Sequence, residues 1–160
     1  MKIIMILVLL SSYLFAFDKV SLSYGFHNGD DIEAIDLSAT KNLSFSLFDT
    51  FDSSIELNYT DFKYNTNQNL YILALTPTLT YDLNNNMYID MGIGASYISN
   101  TEFEDERMGI NFQFRNFVGL VYKINTNFSV QLRYVHYSNA YIDEDNSGLD
   151  MSTIGLSYSF

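Results

Sequence analysis

The residues best suited to chemistry lie close together late in the sequence. His136 and Ser138 are two positions apart in the stretch YVHYSNA (134–140), and Asp150 follows shortly after. Residues i and i+2 of a β-strand share a face and lie roughly 7 Å apart, so an imidazole and a hydroxyl there can turn toward each other. A serine whose proton is taken by a histidine is a nucleophile, and an acid that orients the imidazole completes a set of groups able to hydrolyse an ester.

The elements that must position these residues are β-strands. Apolar residues recur with period two rather than 3.6, in segments separated by clusters of Asn, Asp, Gly and Ser. Such segments suit tilted membrane strands better than the strands of about five or six residues usual in soluble sandwiches. The eight predicted runs are Phe17–Phe26, Ile32–Leu47 with an irregularity near Asn42, Ser53–Tyr64, Asn69–Leu83, Met87–Ser99, Gly109–Ile124, Phe128–Ala140 and Leu149–Phe160.

The two faces of each run differ in chemistry. In the sixth run Phe112, Phe114 and Val118 alternate with Gln113 and Arg115, and the first and seventh runs repeat this pattern. A soluble β-sandwich would bury the apolar face against a second sheet, which the sequence does not forbid. The aromatic apolar face, the even strand count and an alternating last strand that ends on an aromatic residue favour an all-β, eight-stranded antiparallel transmembrane β-barrel of the outer membrane.

The inward-facing residues predict a filled barrel. An eight-stranded barrel has room inside only for side chains, so we expect Glu56, Asp90, Arg115 and Arg133 to form an ionic network rather than to line a channel. The connections alternate in length. Asn84–Asn86 and Asn125–Asn127 resemble tight turns, whereas 100–108 and 141–148 are longer and acidic, as expected of periplasmic turns and outer loops.

Strand parity places the reactive residues on the outer wall. His136 and Ser138 have the parity of the apolar residues of the seventh run, and Asp150 has the parity of the apolar residues of the eighth. Polar side chains that face lipid destabilise a barrel in the membrane. Three of them together near the outer rim therefore suggest a functional role. A shift of one residue in strand pairing would turn Asp150 to the lumen.

Composition and the first residues indicate the compartment. Residues 1–16, MKIIMILVLLSSYLFA, read as a secretory signal peptide cleaved after Ala16, which leaves 17–160 as the barrel. There is no cysteine, so thiol chemistry is excluded. With 19 acidic and 8 basic residues the net charge is -11, which argues against nucleic acid as a partner.

Other polar residues have simpler interpretations. His27, in the stretch HNGD (27–30), is expected to be a solvated loop residue. The acidic runs 102–106 and 143–145 could hold divalent cations at lipid phosphates, but we expect solvated loops, no metal site and no cofactor.

The reactive stretch carries a recognisable pattern. HYSNA (136–140), Asn146, GLD (148–150) and GLSYSF (155–160) together resemble the C-terminal signature of the lipid A 3-O-deacylases of the PagL family. The resemblance is specific over roughly the last thirty residues and architectural elsewhere. It implies an outer-membrane barrel esterase that removes the 3-position acyl chain from the lipid A of lipopolysaccharide.

The resemblance also implies roles. Ser138 would be the nucleophile, His136 the general base and then acid, and Asp150 the group that orients the imidazole. The family most often has Glu at the last position, so Asp150 is one methylene shorter, and Glu144 is the alternative acid.

Further roles concern the oxyanion and the partners. The candidate donors are backbone amides near Asn139 and Ala140 and the side chain of Asn146, although both asparagines are equally good turn formers. Lipopolysaccharide and outer-membrane lipid are the expected partners, and a homodimer is left open. The alternatives are a non-enzymatic structural or adhesion barrel and a lipid A acyltransferase.

Overall fold

Eight long strands close into one antiparallel barrel. The computed structural model describes residues 17–27, 32–44, 50–63, 70–103 and 106–160. The predicted signal peptide lies outside these residues. Within them no helix is long and apolar enough to cross a membrane. The strands are β1 Lys19–His27, β2 Glu33–Asn42, β3 Asp52–Lys63, β4 Leu70–Asn84, β5 Met87–Ile98, β6 Glu102–Phe103, β7 Glu106–Arg107, β8 Phe112–Lys123, β9 Phe128–Ser138 and β10 Leu149–Ser159.

The barrel order is β1-β10-β9-β8-β5-β4-β3-β2, and β2 pairs with β1 to complete the ring. β6 and β7 form a separate two-stranded hairpin in the connection between β5 and β8. We call the end with connections 99–111 and 139–148 the upper end, and the end with turns 85–86 and 124–127 the lower end. The predicted all-β class, strand number and antiparallel closure are confirmed.

The lower turns form where asparagines recur. The side-chain oxygen of Asn84 accepts the backbone amides of Asn86 and Met87, and that of Asn125 accepts the amides of Asn127 and Phe128. Each asparagine thereby supplies the acceptor that a chain reversing over two to four residues needs. Both turns fall where the sequence predicts them.

The predicted second run is too long. β2 ends at Asn42 rather than Leu47, and residues 45–49 lie outside the described residues. Asp18, just before β1, accepts the backbone amide of Asn42 and pairs with Lys41. The hydrogen bond from Asn42, together with Lys41, lowers the pKa of Asp18. This carboxylate ends the ladder where the sequence shows its irregularity.

The lumen centre holds the predicted ionic network. Glu56 bridges Arg115 at 3.1 Å and Arg133 at 2.9 Å, and Arg133 also binds Asp90. These side chains are at most 2% exposed. Both guanidinium groups lie against the ring of Phe117, with their central carbons 4.7 Å (Arg115) and 4.3 Å (Arg133) from its centroid. Two positive and two negative groups therefore compensate one another in the interior.

The upper third of the lumen differs from the sequence-based expectation of a polar interior. Inward side chains there are apolar, and the connection between β5 and β8 adds Phe103 and Met108, 3% and 0% exposed. Phe103 and Met108 pack in one cluster with inward strand residues, which are thereby shielded from water and form the hydrophobic core. Its members also include Ile32, Phe62, Leu70, Ile72, Ile98, Val135, Tyr137, Leu149 and Met151.

Candidate active site

His136 and Ser138 lie at the upper end of β9 and face outward. Their neighbours Val135 and Tyr137 point into the apolar upper core, where they are 3% and 1% exposed. On β10, Leu149 and Met151 are buried in the same core on either side of Asp150. Alternation along both strands therefore presents the polar residues on the outer wall and anchors the backbone that carries them.

Asp150 lies directly opposite His136 across the β9–β10 pair. Its carboxylate oxygen Oδ1 is 2.7 Å from Nδ1 of the imidazole, and the two side chains are 42% and 38% exposed. A carboxylate that accepts a hydrogen bond from Nδ1–H leaves Nε2 of the neutral ring as the nitrogen able to take a proton. The pairing thus provides an oriented base.

Ser138 is near this pair without being joined to it. Within the described residues no hydrogen bond connects its hydroxyl to the His136 ring. Both side chains leave the same face of one strand, roughly 7 Å apart along it, so rotation about the Ser138 side chain brings the hydroxyl toward Nε2. Catalytic hydrogen bonds are commonly long before substrate binds.

Gly148 lies against the imidazole ring of His136. This residue has φ of +76°, and a Cβ placed on it would lie 3.1 Å from Cε1 of His136. Any larger residue would therefore be strained and would press on the ring. The sequence shows this glycine, but not that the histidine lies against it.

The interpretation of His27 as a solvated loop residue is wrong. His27 is the last residue of β1, its side chain is 12% exposed, and its Nδ1 binds the backbone carbonyl of Asp150. Its Nε2 is 4.0 Å from a carboxylate oxygen of Glu106. Because β1 pairs with β10, the polar end of β1 meets the base of the Asp150 side chain, a proximity that spacing along the sequence does not reveal.

Asn139 and Asn146 hold the upper connection together. The backbone amide of Asn139 donates to Oδ1 of Asn146 at 2.9 Å, and the Asn139 side chain donates to the carbonyls of Met108 and Asp145. Asn139 is fully buried. The structure thus gives both residues the turn-forming role, and an oxyanion could use the Asn139 amide only after Asn146 releases it.

Ala140 is exposed and has an unusual backbone. Its φ is 54° and that of Tyr141 is 60°, both in the left-handed region that residues other than glycine rarely adopt. A hydrogen bond from Ile142 N to Asn139 O closes the turn around them. Strained backbone of this kind concentrates at functional sites, and here it directly follows Ser138 and its neighbour.

The acidic segments contribute no ligand cluster in the part of the chain that the structure describes. Glu144 is exposed in the upper connection, and the acid that contacts His136 is Asp150. Of the run 102–106, residues 104 and 105 lie outside the described ranges. Among the residues on either side, no group of three His, Asp or Glu side chains is arranged to hold a metal.

Two residues next to the His136–Asp150 pair were not predicted from the sequence. Asn116 on β8 faces outward directly opposite His136, on the side away from Asp150. Tyr134, two residues before His136, is the diagonal neighbour of Asp150 across the β9–β10 pair. Asn116 could have been predicted from the sequence, because its parity makes it a polar residue among outward apolar ones. Tyr134 could not, because it is one of many outward aromatic residues.

An apolar groove begins beside the imidazole and crosses the outer wall. Its volume is about 810 Å³. The wall residues include His136, Val118, Ile93, Met91, Pro77 and Ile55, which come from β9, β8, β5, β4 and β3. A long apolar chain can lie in such a groove with its polar end at the imidazole.

The comparisons place this site in a family. The family model of lipid A 3-O-deacylase (PagL) matches residues 33–159, which include every candidate site residue. The chain belongs to the PagL family. The resemblance seen in the C-terminal sequence is thereby confirmed.

Individual PagL proteins match parts of the chain. Lipid A deacylase PagL of Bordetella bronchiseptica is 44% identical over 73 residues, covering 46% of this chain and 41% of that protein. Lipid A deacylase PagL of Pseudomonas aeruginosa is 30% identical over 81 residues, covering 49% of this chain and 47% of that protein. The chain thus spans less than half the length of the curated relatives it matches.

Solved structures show the same fold. The crystal structure of the outer membrane enzyme PagL matches with a TM-score of 0.79 and 21% identity, over 89% of this chain and 99% of that one. The N-terminal β-barrel domain of Pseudomonas aeruginosa OprF matches with a TM-score of 0.60 and 14% identity, over 91% and 98%. The PagL barrel is therefore more similar in shape to this chain than the OprF barrel is.

Proposed function

We propose that this protein is an outer-membrane esterase that hydrolyses the 3-O-linked acyl chain of lipid A. The observation that carries the proposal is the hydrogen bond between His136 and Asp150, which orients an imidazole beside Ser138 on an outward, largely apolar wall. Membership of the PagL family supplies the substrate class. Lipopolysaccharide is accordingly the partner that we assign to the site.

The location of the protein follows from its surface. Large apolar side chains are exposed around the barrel, among them Leu22, Leu37, Leu75, Val118 and Leu132, each about half exposed. Such a belt on a closed barrel is stable in lipid and would associate in water. We therefore place the barrel in the outer membrane, with the upper end toward the outer leaflet.

Each group of the triad has a defined task. His136 Nε2 takes the proton of the Ser138 hydroxyl, and the Ser138 oxygen forms a bond to the ester carbonyl carbon. The tetrahedral intermediate collapses with cleavage of the ester C–O bond, and the imidazolium returns the proton to the sugar oxygen that leaves. Water, deprotonated by His136, then attacks the carbonyl carbon of the acyl-enzyme. The bond between that carbon and the Ser138 oxygen breaks, the imidazolium returns its proton to the Ser138 oxygen, and the fatty acid is released.

Asp150 supports both steps through its contact with Nδ1. It keeps Nε2 free as the base and stabilises the imidazolium that forms. The oxyanion donors assigned to Asn139, Ala140 and Asn146 stay a prediction. Ala140 and the side-chain amide of Asn146 fit it better than Asn139, whose amide is already donated.

The outward site suits a lipid substrate. Acyl chains can remain in the groove and the bilayer while the ester reaches Ser138 at the upper end, so the substrate need not leave the membrane. Extraction of a long chain into water would cost about 0.8 kcal/mol per methylene. A site on the wall avoids that cost.

Mass spectrometry of lipid A tests the proposal. Outer membranes with the wild-type protein should contain lipid A lacking one 3-hydroxyacyl unit, and those with Ser138→Ala should not, because turnover falls by at least about 10³-fold without the nucleophile. Ser152→Ala, an outward serine lower on β10, is the matched control and should behave as wild type.

Two outcomes would overturn the proposal. Unchanged lipid A in membranes that contain the inserted wild-type barrel would favour the non-enzymatic alternative. Lipid A enlarged by an acyl chain would favour an acyltransferase.

A further inference from the structure

We infer that Tyr134 is a positioning residue of the triad, which fixes the Asp150 carboxylate through a hydrogen bond from its phenolic hydroxyl. The inference rests on the proposed function, because it assigns a task within the same site. It adds a fourth side chain to the arrangement of Ser138, His136 and Asp150.

The register explains how Tyr134 reaches Asp150. On β9 Tyr134 and His136 both face outward, and across the pair Asp150 lies opposite His136 while Ser152 lies opposite Tyr134. Tyr134 and Asp150 are therefore diagonal neighbours, at a separation of about 7–8 Å that aromatic side chains can span. The phenolic hydroxyl of Tyr134 is thereby within reach of the Asp150 carboxylate.

The chemistry of a carboxylate on this wall gives the contact its importance. An ionised carboxylate is only an acceptor, and it needs donors when it faces apolar surroundings. In the described part of the chain the imidazole of His136 donates to Asp150, and the hydroxyl of Tyr134 is placed to be the second donor. With one donor removed, the carboxylate could turn about its short side chain and the imidazole would lose its fixed orientation.

The position of Tyr134 permits a second role, which the experiment must separate from the first. Tyr134 also lines the apolar groove and is 45% exposed. A residue that only contacts the acyl chain would change KM. A residue that acts through Asp150 changes kcat, and its effect disappears when Asp150 is absent.

Tyr134→Phe, alone and in an Asp150→Ala background, distinguishes these roles. The replacement keeps the ring and removes only the hydroxyl. Loss of one hydrogen bond to a charged group should lower kcat about tenfold, with KM within about twofold of wild type. In the Asp150→Ala background the same replacement should cause no further loss. Substrate is purified lipid A in detergent micelles, and folding of each variant is checked by its heat-dependent mobility on gels.

Tyr122→Phe is the matched control. Tyr122 is an outward, half-exposed tyrosine of β8 near the lower end, away from the site, and its replacement should leave kcat unchanged in both backgrounds. Equal losses from Tyr134→Phe in both backgrounds, an effect confined to KM, or no effect would each overturn the inference. Ser138→Ala is run in parallel, because activity that survives it would instead contradict the proposed function.

Discussion

Asp150 lies where the resemblance in the sequence implies a glutamate, and its geometry shows how the shorter side chain still reaches His136. Aspartate is one methylene shorter than glutamate, yet its carboxylate is 2.7 Å from Nδ1 of His136. Because the two residues lie directly opposite each other on β9 and β10, the shorter side chain still reaches the imidazole. The alternative acid, Glu144, is therefore not needed for this contact.

Asp150→Asn should lower kcat by about 10²–10⁴-fold. An amide in place of the carboxylate can favour the wrong imidazole tautomer and cannot stabilise the imidazolium. The measurement is the initial rate of fatty-acid release from lipid A in micelles, with KM determined separately. Glu144→Gln, which removes an exposed acid of the upper connection, should leave the rate unchanged, and the reverse ranking of the two variants would show that Glu144 is the triad acid.

Individual residues were predictable where alternation alone decides their place. The outward parity of His136, Ser138 and Asp150 follows from period two, provided that neither strand contains a bulge. The roles of His27 and Asn139 depend on β1 and on connection 99–111, which are distant in sequence. Local pattern contains no information about such contacts, so those two residues could not be placed.

At the scale of elements, the connection between β9 and β10 is held against the β6–β7 hairpin. Ser147 accepts the backbone amide of Arg107 through its hydroxyl at 2.7 Å and donates both its hydroxyl and its own amide to the Arg107 carbonyl. Asn139 adds its bond to Met108. These contacts order the segment that carries Gly148 to the imidazole.

Ser147→Ala should loosen this segment. It removes two of the three hydrogen bonds to Arg107, at a cost of about 1–3 kcal/mol in local stability. Trypsin should then cleave after Arg107 several-fold faster, as measured by mass spectrometry of the fragments. Thr126→Ala, in a lower turn, is the control and should leave that cleavage rate unchanged. Equal rates in wild type and Ser147→Ala would contradict the proposed contact.

The strands and lower turns were predictable because their signals are local. Alternating polarity defines the strands, and Asn84 and Asn125 mark the turns. The strand ends were less predictable than the strands themselves. The sixth run was predicted to begin at Gly109, but Gly109 has a φ of +70° and β8 begins only at Phe112. The apolar upper lumen was missed since it depends on loop residues that fold back over the opening.

For the whole molecule, the central feature is the charge network in the lumen. Its four ionised groups come from β3, β5, β8 and β9, so it joins strands on different sides of the barrel. Glu56 is central, because it contacts both arginines. The site lies on the outer wall, whereas the network lies in the lumen and acts on the stability of the barrel.

Glu56→Gln should destabilise the barrel by about 3–5 kcal/mol, because it leaves buried guanidinium groups without their shared partner. Urea unfolding in detergent, followed by circular dichroism, measures this change. Asp82→Asn is the control. It removes the exposed pair with Lys123 at 3.7 Å and should change stability by less than about 1 kcal/mol. Equal changes for both variants would show that the network is not a main source of stability.

Closure of the ring by β1 and β10 has a consequence for how the candidate site is assembled. One edge of β10 meets β9, where His136 lies opposite Asp150, while its other edge meets β1, from which His27 reaches the backbone of Asp150. If the first and last strands of the barrel have not yet paired, that contact is absent. One edge of β10, the strand that bears Asp150, then has no partner strand. The surroundings of the acid are therefore complete only when the two ends of the chain have come together in one sheet.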